Sequence, residues 1–283
     1  MKIGIHLSTF TKSWEEDIFQ YFSVASKIGY DGVEIPIIDA NNFDSKKSKK
    51  LLKENNLLCT CGTGLNIEKD ISSIDKNIRD NGMKHLKKCI DICNELESDC
   101  LGGVLYAPWG MKKSRAEAKD NINFSIESLR EIASYAEVRG VTLALEVLNR
   151  YETFFINTVE EGLDILKKID SNNVKIHFDT FHGHIEEKSL KDAILKGGKN
   201  IFHVHFCENN RSTPGTGQIN WREVKKALKE INYDRWITLE NFTMPNCQVG
   251  NDVSIWRKTG ESNYKVAELG FKFIKQLMDK QEV

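Results

Sequence analysis

Short apolar runs of the kind that form buried strands recur along the chain, and amphipathic stretches with a helical period separate them. The eight runs that we predict as strands are Lys2–Leu7, Gly32–Ile38, Leu57–Leu65, Cys100–Ala107, Val141–Leu148, Val174–Phe181, Ile201–Phe206 and Trp236–Phe242. The eight stretches predicted as helices are Trp14–Ile28, Phe43–Asn55, Asp70–Leu96, Arg115–Arg139, Thr158–Ile169, Lys188–Lys196, Trp221–Ile231 and Tyr264–Met278. Strand and helix therefore alternate eight times along the chain.

Two of these helices carry start or stop signals. Ser13 with Glu16 three residues later has the pattern of a capping box, and Gly29 is a typical residue at a helix end. Thr158 and Glu161 repeat the start signal before the fifth predicted helix. We therefore expect the first helix to begin directly after Ser13 and to end at Gly29.

Eight β-then-α units in 283 residues predict an α/β fold, a (β/α)8 TIM barrel that forms a single catalytic domain over residues 1–283. An open doubly wound sheet would more often have a glycine-rich phosphate turn after its first strand, and Gly4-Ile5-His6 offers none. The run from Val141 to Leu145 is almost continuously apolar, as strands of a parallel sheet buried on both faces are.

Composition and charge remove several classes of partner. The formal net charge is −1, so the simplest signature of nucleic-acid binding is absent, and we expect no nucleic-acid partner. No run of about 18 apolar residues predicts a membrane helix, and the N-terminus lacks the pattern of a signal peptide. The seven cysteines include no Cys-x-x-Cys pair, which favours free thiols and a cytoplasmic location.

The last four predicted strands each carry a potential metal ligand at the carboxyl end, where the chemistry of a barrel lies. These residues are Glu146, Asp179, His205 and Glu240. Their spacings of 33, 26 and 35 residues each correspond to about one βα unit, so the four positions repeat in structural register. Any one of them has an ordinary explanation as an ion-paired or core residue, but four consecutive strands with the same feature favour a shared site.

A metal ion would solve the electrostatic problem that this arrangement creates. Three carboxylates buried together repel one another and lose their hydration, which costs several kcal/mol in the absence of a cation. One divalent ion held by three carboxylates and one imidazole removes that cost, and the oxygen-rich set suits Mn²⁺, Mg²⁺ or Co²⁺. His203 and His177 share the inward parity and are expected one layer lower, whereas His85 lies in a predicted helix and is expected at the surface.

Four segments resemble the ketose 3-epimerases, the D-tagatose/D-allulose 3-epimerase group of the xylose-isomerase-like superfamily. They are Glu146-Val-Leu-Asn-Arg-Tyr-Glu152, Asp179-Thr-Phe-His182, His205-Phe-Cys-Glu-Asn-Asn-Arg211 and Val249-Gly-Asn-Asp-Val-Ser-Ile-Trp-Arg257. The likeness extends over essentially the whole chain and is densest from Val141 to Arg257. It is more specific than a barrel with a metal site, which the wider superfamily shares.

The resemblance implies a role for each matched residue. One divalent ion per subunit, with Mn²⁺ as the first choice, would be bound by Glu146, Asp179, His205 and Glu240. Glu146 and Glu240 would also be the acid/base pair. The O1–O3 end of the sugar would be held by Glu152, His182 and Arg211, with further substrate contacts from His6, Gly103, Trp109 and Phe242. The resemblance also implies a homodimer or homotetramer.

The chain departs from the family pattern at several positions. His6 stands where D-allulose epimerases commonly have a tyrosine that touches the far end of the sugar, and Thr63 stands where a histidine is common. Gly183-His184 replaces a familiar Met-Asn pair, and Asn241 replaces a familiar proline. None of these positions belongs to the expected metal set or acid/base pair, so they bear on the identity of the sugar rather than on the type of reaction.

The expected reaction is inversion of C3 in a free ketose. Removal of the C3 proton beside a C2 ketone gives a cis-enediolate, which a divalent ion stabilises as a Lewis acid. Strands five and eight are three steps apart around the barrel, so Glu146 and Glu240 can flank one carbon, one removing a proton and the other returning it.

Other functions use part of the same residue set. An aldose–ketose isomerase would move the carbonyl to C1 on the same metal site. A metal-dependent phosphodiesterase of the endonuclease-IV kind would need more ligands and usually a basic face. A glycosidase with Glu146 and Glu240 as its carboxylate pair would not need the other two ligands. A non-catalytic sugar-binding protein would never exchange the C3 proton.

Overall fold

The computed structural model describes residues 1–279 and contains a closed barrel of eight parallel strands that pair in chain order. The strands are β1 (Lys2–His6), β2 (Gly32–Pro36), β3 (Leu58–Leu65), β4 (Cys100–Pro108), β5 (Thr142–Glu146), β6 (Val174–Asp179), β7 (Ile201–Phe206) and β8 (Trp236–Leu239). β8 pairs with β1 through Lys2 opposite Trp236, which closes the ring. The predicted TIM barrel is confirmed.

Helices connect the strands on the outside of the barrel. They are α1 (Gln20–Ile28), α2 (Ser45–Glu54), α3 (Lys76–Glu95), α4 (Lys119–Glu137), α5 (Val159–Ile169), α6 (Thr180–Glu186), α7 (Leu190–Gly197), α8 (Trp221–Glu230), α9 (Gln248–Asp252) and α10 (Asn263–Asp279). Each predicted helical stretch overlaps one of them, and α6 and α9 are additional. α6 begins at Thr180, inside the run predicted as strand six, because the Asp179 carboxylate accepts the amides of Phe181 and His182 and caps a helix there.

The predicted start of the first helix is wrong. α1 begins at Gln20, and Ser13 caps a turn instead, since its hydroxyl accepts the amide of Glu15. The Glu16 carboxylate accepts the amide of Lys12 at 2.8 Å, so the two residues of the expected capping box fold a loop rather than a helix. This loop extends over the barrel mouth, where tertiary contacts override the local signal.

Other helix ends follow the local signals. Gly29 ends α1 with φ of 110°, a left-handed conformation that glycine adopts without a Cβ clash. The Thr158 hydroxyl accepts the amide of Glu161 at the start of α5, as predicted. Asp44 and Asp75 cap α2 and α3 in the same way, so α3 begins at Lys76 and not at the predicted Asp70.

The main hydrophobic core lies between the barrel wall and the helices. Leu145, Ile176, Val204 and Ile237 point outward from β5 to β8 and are fully buried beneath the helices. A second, smaller apolar cluster lies apart from this core at the carboxyl end of the barrel. This mouth cluster consists of Phe242, Val249 and Ile255 with the half-buried Trp14 and Val253 packed against it.

His85 is buried, which corrects the expectation that it lies at the surface. It stands on α3 facing the barrel, and its Nε2 lies 3.4 Å from the Thr63 hydroxyl and 3.6 Å from Cys89 Sγ. Burial lowers the pKa of His85 to about 4, with Lys69 adding to the effect. The imidazole is therefore a neutral part of the packing between α3 and β3.

The seven cysteine thiols are free, as the sequence indicated. Six of them are buried, and Cys247 is half-buried. Within residues 1–279, none of the helices combines the length and the apolarity that crossing a bilayer requires.

Candidate active site

The four expected metal ligands converge at the carboxyl end of the barrel. Glu146 and Asp179 are the last residues of β5 and β6, His205 is the penultimate residue of β7, and Glu240 follows β8 directly. The register places Asp179 opposite His205 across the β6–β7 pair. Because inward and outward side chains alternate along each strand, these four positions share the barrel interior.

Their donor atoms fit a divalent cation. One donor atom from each of Glu146, Asp179 and His205 lies within 4.8 Å of the others. His205 Nδ1 lies 3.8 Å from Asp179 Oδ2 and 3.7 Å from Glu240 Oε1. Within the described part of the chain, both His205 Nδ1 and Asp179 Oδ2 are buried without a hydrogen-bond partner. Buried polar atoms of this kind need a partner, and a divalent ion between them would be one.

Glu34 is a site residue that the sequence analysis missed. It projects inward from β2, fully buried, and its two oxygens face the Nε2 atoms of His203 at 2.5 Å and His205 at 3.0 Å. Burial alone would raise the pKa of Glu34, but the two imidazoles hold it well below its ordinary range. The contact fixes the His205 ring with Nε2 toward Glu34 and Nδ1 toward the other ligands. The sequence feature that could have identified Glu34 is a carboxylate in the middle of an otherwise apolar predicted strand.

His203 and His177 occupy the lower layer that the sequence predicted. Their rings pack edge-on, with centroids 4.7 Å apart, and the His177 centroid lies 4.0 Å from that of His205. Burial lowers the pKa of His177 well below its ordinary value, and the neighbouring His205 and His203 add to this effect. The His205 ring packs edge-on against both of these rings.

Arg211 reaches the centre of the site from the loop after β7. Its Nη1 lies 2.9 Å from Glu240 Oε2 and 3.7 Å from Asp179 Oδ2, and its guanidinium lies over the Phe181 ring. Its backbone has φ of 64°, a left-handed conformation that costs about 1 kcal/mol or more for a residue with a Cβ. The loop must therefore hold this conformation through its own contacts.

Glu208 is the residue that organises this loop, and sequence reasoning did not identify it. Its buried carboxylate accepts hydrogen bonds from the amides of Gly215 at 2.7 Å and Ile219 at 3.2 Å and from the Trp221 indole at 2.9 Å. Its carbonyl accepts the amide of Arg211 at 2.9 Å. A carboxylate with this many donors is a structural anchor rather than a ligand.

Glu152 and His182 lie beside Arg211, as the resemblance implied. Glu152 accepts hydrogen bonds from the Trp109 indole and from the Asn149 amide, each at 2.8 Å. His182 Nδ1 accepts the backbone amide of Asn149 at 3.1 Å, and its Nε2 lies 3.3 Å from Arg211 Nη2. Asn149 therefore aligns two of the predicted sugar-binding residues, a role that the sequence analysis did not assign.

A pocket of about 430 Å³ opens above the ligands, and the remaining predicted contacts line it. His6, Gly103, Trp109 and Phe242 all border this pocket. Gly103 has φ of 112°, and a Cβ there would lie 2.3 Å from the carbonyl oxygen of Thr63, so only glycine fits. We call this cavity the inner pocket, and residues of both halves of the barrel, β1 to β4 and β5 to β8, line it.

Only some of the departures from the family pattern reach this pocket. His6 and Thr63 line it, and the Thr63 hydroxyl donates to the Ile37 carbonyl at 2.7 Å. Gly183 packs instead against Phe178 and Leu190, where a Cβ would lie under 3.0 Å from both side chains. The glycine therefore reflects helix packing rather than a contact with a ligand in the inner pocket.

The mouth cluster closes one side of the inner pocket. The Trp14 indole donates to Asp252 Oδ2 at 2.7 Å, and its ring meets Trp109 and Phe242 edge-on. The amide of Val249 donates to the carbonyl of Lys12 at 3.1 Å. The loop after β1 is therefore fastened to the segment after β8 above the ligands.

The electrostatic environments of the two acidic residues differ. Burial raises the pKa of Glu146 well above its ordinary value, and the negative charges of Glu240 and Asp179 act in the same direction. Burial alone would raise the pKa of Glu240 too, but His205 and Arg211 hold it below its ordinary range. The pKa values of the two carboxyl groups shift in opposite directions because Glu240 lies 3.7 Å from His205 Nδ1 and 2.9 Å from Arg211 Nη1.

Comparison with known proteins gives the same fold and a consistent chemistry. The family model described as xylose isomerase-like TIM barrel matches residues 22–262. The chain is 36% identical over 261 residues to a D-psicose 3-epimerase of Ruminiclostridium cellulolyticum, across 91% of this chain and 89% of that protein. It is 34% identical over 254 residues to an L-ribulose 3-epimerase of a Methylomonas species, across 89% and 88%.

A solved structure agrees over the full length. The D-psicose 3-epimerase from Clostridium cellulolyticum H10, crystallised with D-tagatose, matches with a TM-score of 0.92 and 33% identity, across 99% of this chain and all of that one. The similarity therefore includes the barrel, the loops at its mouth and the segments that carry the site.

Proposed function

The chain belongs to the ketose 3-epimerases of the xylose isomerase-like TIM-barrel family, and we propose that it interconverts the C3 epimers of free ketoses with the aid of one divalent metal ion. It is an isomerase of the carbohydrate epimerase class. Candidate substrate pairs are D-fructose with D-allulose and D-tagatose with D-sorbose. The observation that carries the proposal is the set of buried, unpartnered donor atoms of His205 and Asp179, flanked by Glu146 and Glu240.

Glu146, Asp179, His205 and Glu240 would hold the metal ion. A divalent ion bound there, Mn²⁺ being our first choice, would supply Lewis-acid stabilisation of the negative charge that develops when C3 loses its proton. Glu34 would keep His205 in the orientation that this binding needs, because it engages the opposite ring nitrogen at 3.0 Å.

Glu146 and Glu240 are the proposed acid/base pair. Glu146 ends β5 and Glu240 follows β8, with β6 and β7 between them, so they approach a sugar carbon from different directions. One carboxylate takes the proton from C3, and the other returns a proton to the opposite face of the resulting enediolate. Two residues are needed because a single base would return the proton to the face from which it came.

Glu152, His182 and Arg211 would hold the O1–O3 end of the ketose. Each is already held by a protein contact: Glu152 by Trp109 and Asn149, His182 by Asn149, and Arg211 by Glu240. Such preorganisation keeps C3 near both carboxylates, and proximity of this kind contributes much of an enzyme's rate enhancement.

The charge of the inner pocket favours an uncharged sugar. The acidic residues that line it are Glu15, Glu34, Glu146, Glu152, Glu240 and Asp252. Two cations, Lys69 and Arg211, line the same pocket, and Arg211 Nη1 lies 2.9 Å from Glu240 Oε2. A ketose phosphate would place two further negative charges in this field, so an unphosphorylated ketose is the better fit.

The remaining expectations stay predictions. A homodimer or homotetramer and a cytoplasmic location follow from the sequence and the resemblance. Size-exclusion chromatography with light scattering measures the subunit number of the purified protein.

A deuterium-exchange experiment tests the function. The protein is incubated with Mn²⁺ in D₂O with D-fructose, D-allulose, D-tagatose, D-sorbose, xylulose or ribulose, and C3 is followed by NMR with an EDTA-treated control. Metal-dependent entry of deuterium at C3 together with the C3 epimer is the expected result. Exchange at C1 with formation of an aldose would instead identify an aldose–ketose isomerase. No exchange on any ketose while the metal is bound would refute the substrate class.

A further inference from the structure

A second cavity, of about 830 Å³, lies beside the inner pocket and has nearly twice its volume. We call it the outer cleft. It shares five lining residues with the inner pocket, namely Trp109, Glu152, Arg211, Asp252 and Val253. The proposed epimerase chemistry uses the inner pocket alone and gives the outer cleft no role.

Two aromatic side chains stand exposed at the outer cleft. Trp256 is 73% exposed and Tyr151 is 67% exposed, although large apolar rings are usually covered. Among residues 1–279, neither ring stacks on another aromatic ring, and neither the Trp256 indole nor the Tyr151 hydroxyl makes a hydrogen bond. Aromatic faces beside a cleft with polar walls are the usual means of binding a sugar ring, whose C–H faces pack on the aromatic π-system.

The charge of the outer cleft suits a neutral occupant. Lys112 and Arg257 line it and have no acidic partner in the described part of the chain, while Glu152 and Asp252 supply two negative charges. Arg211 is paired with Glu240, so the remaining two cations and two anions of the outer cleft are equal in number. Hydroxyl groups can bond to both kinds of side chain, whereas an anionic group would gain from only one kind.

The position of the outer cleft determines which end of a ketose would enter it. Glu152 and Arg211, two of the three residues assigned to the O1–O3 end, border both cavities. The third, His182, borders only the inner pocket, as do His6 and Gly103. A substituent on O1 would therefore point toward Trp256 and Tyr151. A substituent on O6 would point toward the wall formed by β1 to β4.

We infer that the outer cleft is a glycosyl subsite and that the substrate class includes ketoses with a neutral sugar on O1. This inference rests on the proposed C3 epimerase function. The reaction stays the same: a proton leaves C3 and a proton returns to C3 on the other face, so no redox change occurs and the glycosidic bond stays intact.

The test compares three substrates in D₂O with Mn²⁺: D-fructose, 1-O-α-D-glucopyranosyl-D-fructose and the 6-O-linked isomer. C3 exchange gives kcat/KM for each in the wild type and in Trp256→Ala, Tyr151→Ala and Trp256→Phe. Val138→Ala is the control, because Val138 is 85% exposed and does not line the cleft. Light scattering records the subunit number of each variant.

We expect the 1-O-linked disaccharide to exchange faster than the 6-O-linked one. The compared quantity is kcat/KM for the 1-O-linked sugar divided by kcat/KM for fructose. Trp256→Ala should lower this ratio about fivefold or more, because one stacking contact is lost. Trp256→Phe should restore part of the ratio. Exchange of fructose without exchange of the 1-O-linked sugar would overturn the inference and leave the epimerase function intact. Equal losses on both substrates with a changed subunit number would overturn it in favour of a subunit contact. No C3 exchange on any free ketose would refute the epimerase function itself.

Discussion

The two halves of the barrel mouth carry different chemistry. Strands β5 to β8 each carry one potential ligand at or directly after their carboxyl end, namely Glu146, Asp179, His205 and Glu240. Strands β1 to β4 and the loops after them form the opposite wall of the inner pocket, and these strands bring one inward carboxylate, Glu34, into contact with His205. We call β5 to β8 the reacting half, because proton transfer and metal binding are assigned to it. We call β1 to β4 the shaping half, because these strands form the opposite wall of the proposed sugar site.

The two halves are nevertheless coupled through contacts between their side chains. Glu34 lies on β2 and engages His205 on β7, so a residue of the shaping half orients a ligand of the reacting half. A second connection runs above the site, where Trp14 from the loop after β1 donates to Asp252 after β8. The comparison shows that chemistry concentrated in one half of a barrel still depends on support from the half opposite.

Loss of either carboxylate of the reacting half should have the largest effect. Glu146→Gln and Glu240→Gln each remove a proton-transfer group while keeping the side-chain shape, so we expect C3 exchange to fall about 10³-fold. The far-ultraviolet circular dichroism should stay that of the wild type. Glu54→Gln, at an exposed position of α2, is the control. Turnover near that of the wild type in either variant would exclude the acid/base assignment.

Metal removal should affect stability as well as activity. At a Mn²⁺ concentration 100-fold above its Kd, binding adds about 2.7 kcal/mol to the free energy of unfolding, which raises Tm by about 5 °C. Asp179→Asn weakens the donor set and should reduce this increase. Differential scanning calorimetry with EDTA and with Mn²⁺ measures both. An identical Tm with and without metal would show that the four residues do not hold it.

Glu34→Gln tests the coupling between the halves. The amide keeps the volume but weakens the contacts to His203 and His205, so the affinity for Mn²⁺ should fall about 10- to 100-fold, the usual effect of losing a residue that orients a ligand. Isothermal titration calorimetry measures this affinity, again with Glu54→Gln as control. Excess Mn²⁺ should restore most of the activity, which separates a positioning role from a catalytic one. An unchanged affinity would show that the halves act independently.

Asp252→Asn tests the connection above the site. The substitution weakens the 2.7 Å hydrogen bond from the Trp14 indole, and bonds to charged groups contribute about 1.5–3 kcal/mol when buried. Because this one is partly exposed, we expect KM to rise about three- to tenfold while kcat changes less than twofold. Steady-state kinetics give both constants. A fall in kcat at constant KM would indicate that the loop contributes to chemistry and not to closure.

The smallest effect concerns His85 in the shaping half. Its folded pKa of about 4 lies below its ordinary value of 6.5, so the unfolded chain binds the proton more tightly. Above pH 6.5 the imidazole is neutral in both states and does not lower the free energy of unfolding. As the pH falls from 6.5 toward 4, the unfolded chain takes up a proton that the folded chain does not, so the free energy of unfolding decreases. His85→Gln should lose less stability than the wild type over this range in urea unfolding. Val138→Ala, at an exposed position outside α3, is the control and should follow the wild type.

The sequence alone determined the fold and predicted that four potential metal ligands lie at one end of the barrel. The 2-residue and 3.6-residue periods are local properties, and they specify eight strands and their helices without knowledge of any contact. The positions of Glu146, Asp179, His205 and Glu240 at successive strand ends are also local, because parallel strands in a barrel present the same end to the same face. Helix boundaries were predicted well where the cap is local, as at Thr158, and wrongly after Ser13.

Only the tertiary structure decided what supports those residues. The contact of Glu34 with His205 spans 171 positions, and that of Trp14 with Asp252 spans 238. The burial of His85 likewise depends on how α3 packs against β3, which no local period specifies. Closing the ring brings the first strands beside the last, and only then do these side chains meet. The positions of the proposed reacting groups can thus be predicted from the local sequence pattern, whereas their orientation depends on contacts between residues that are distant in the chain.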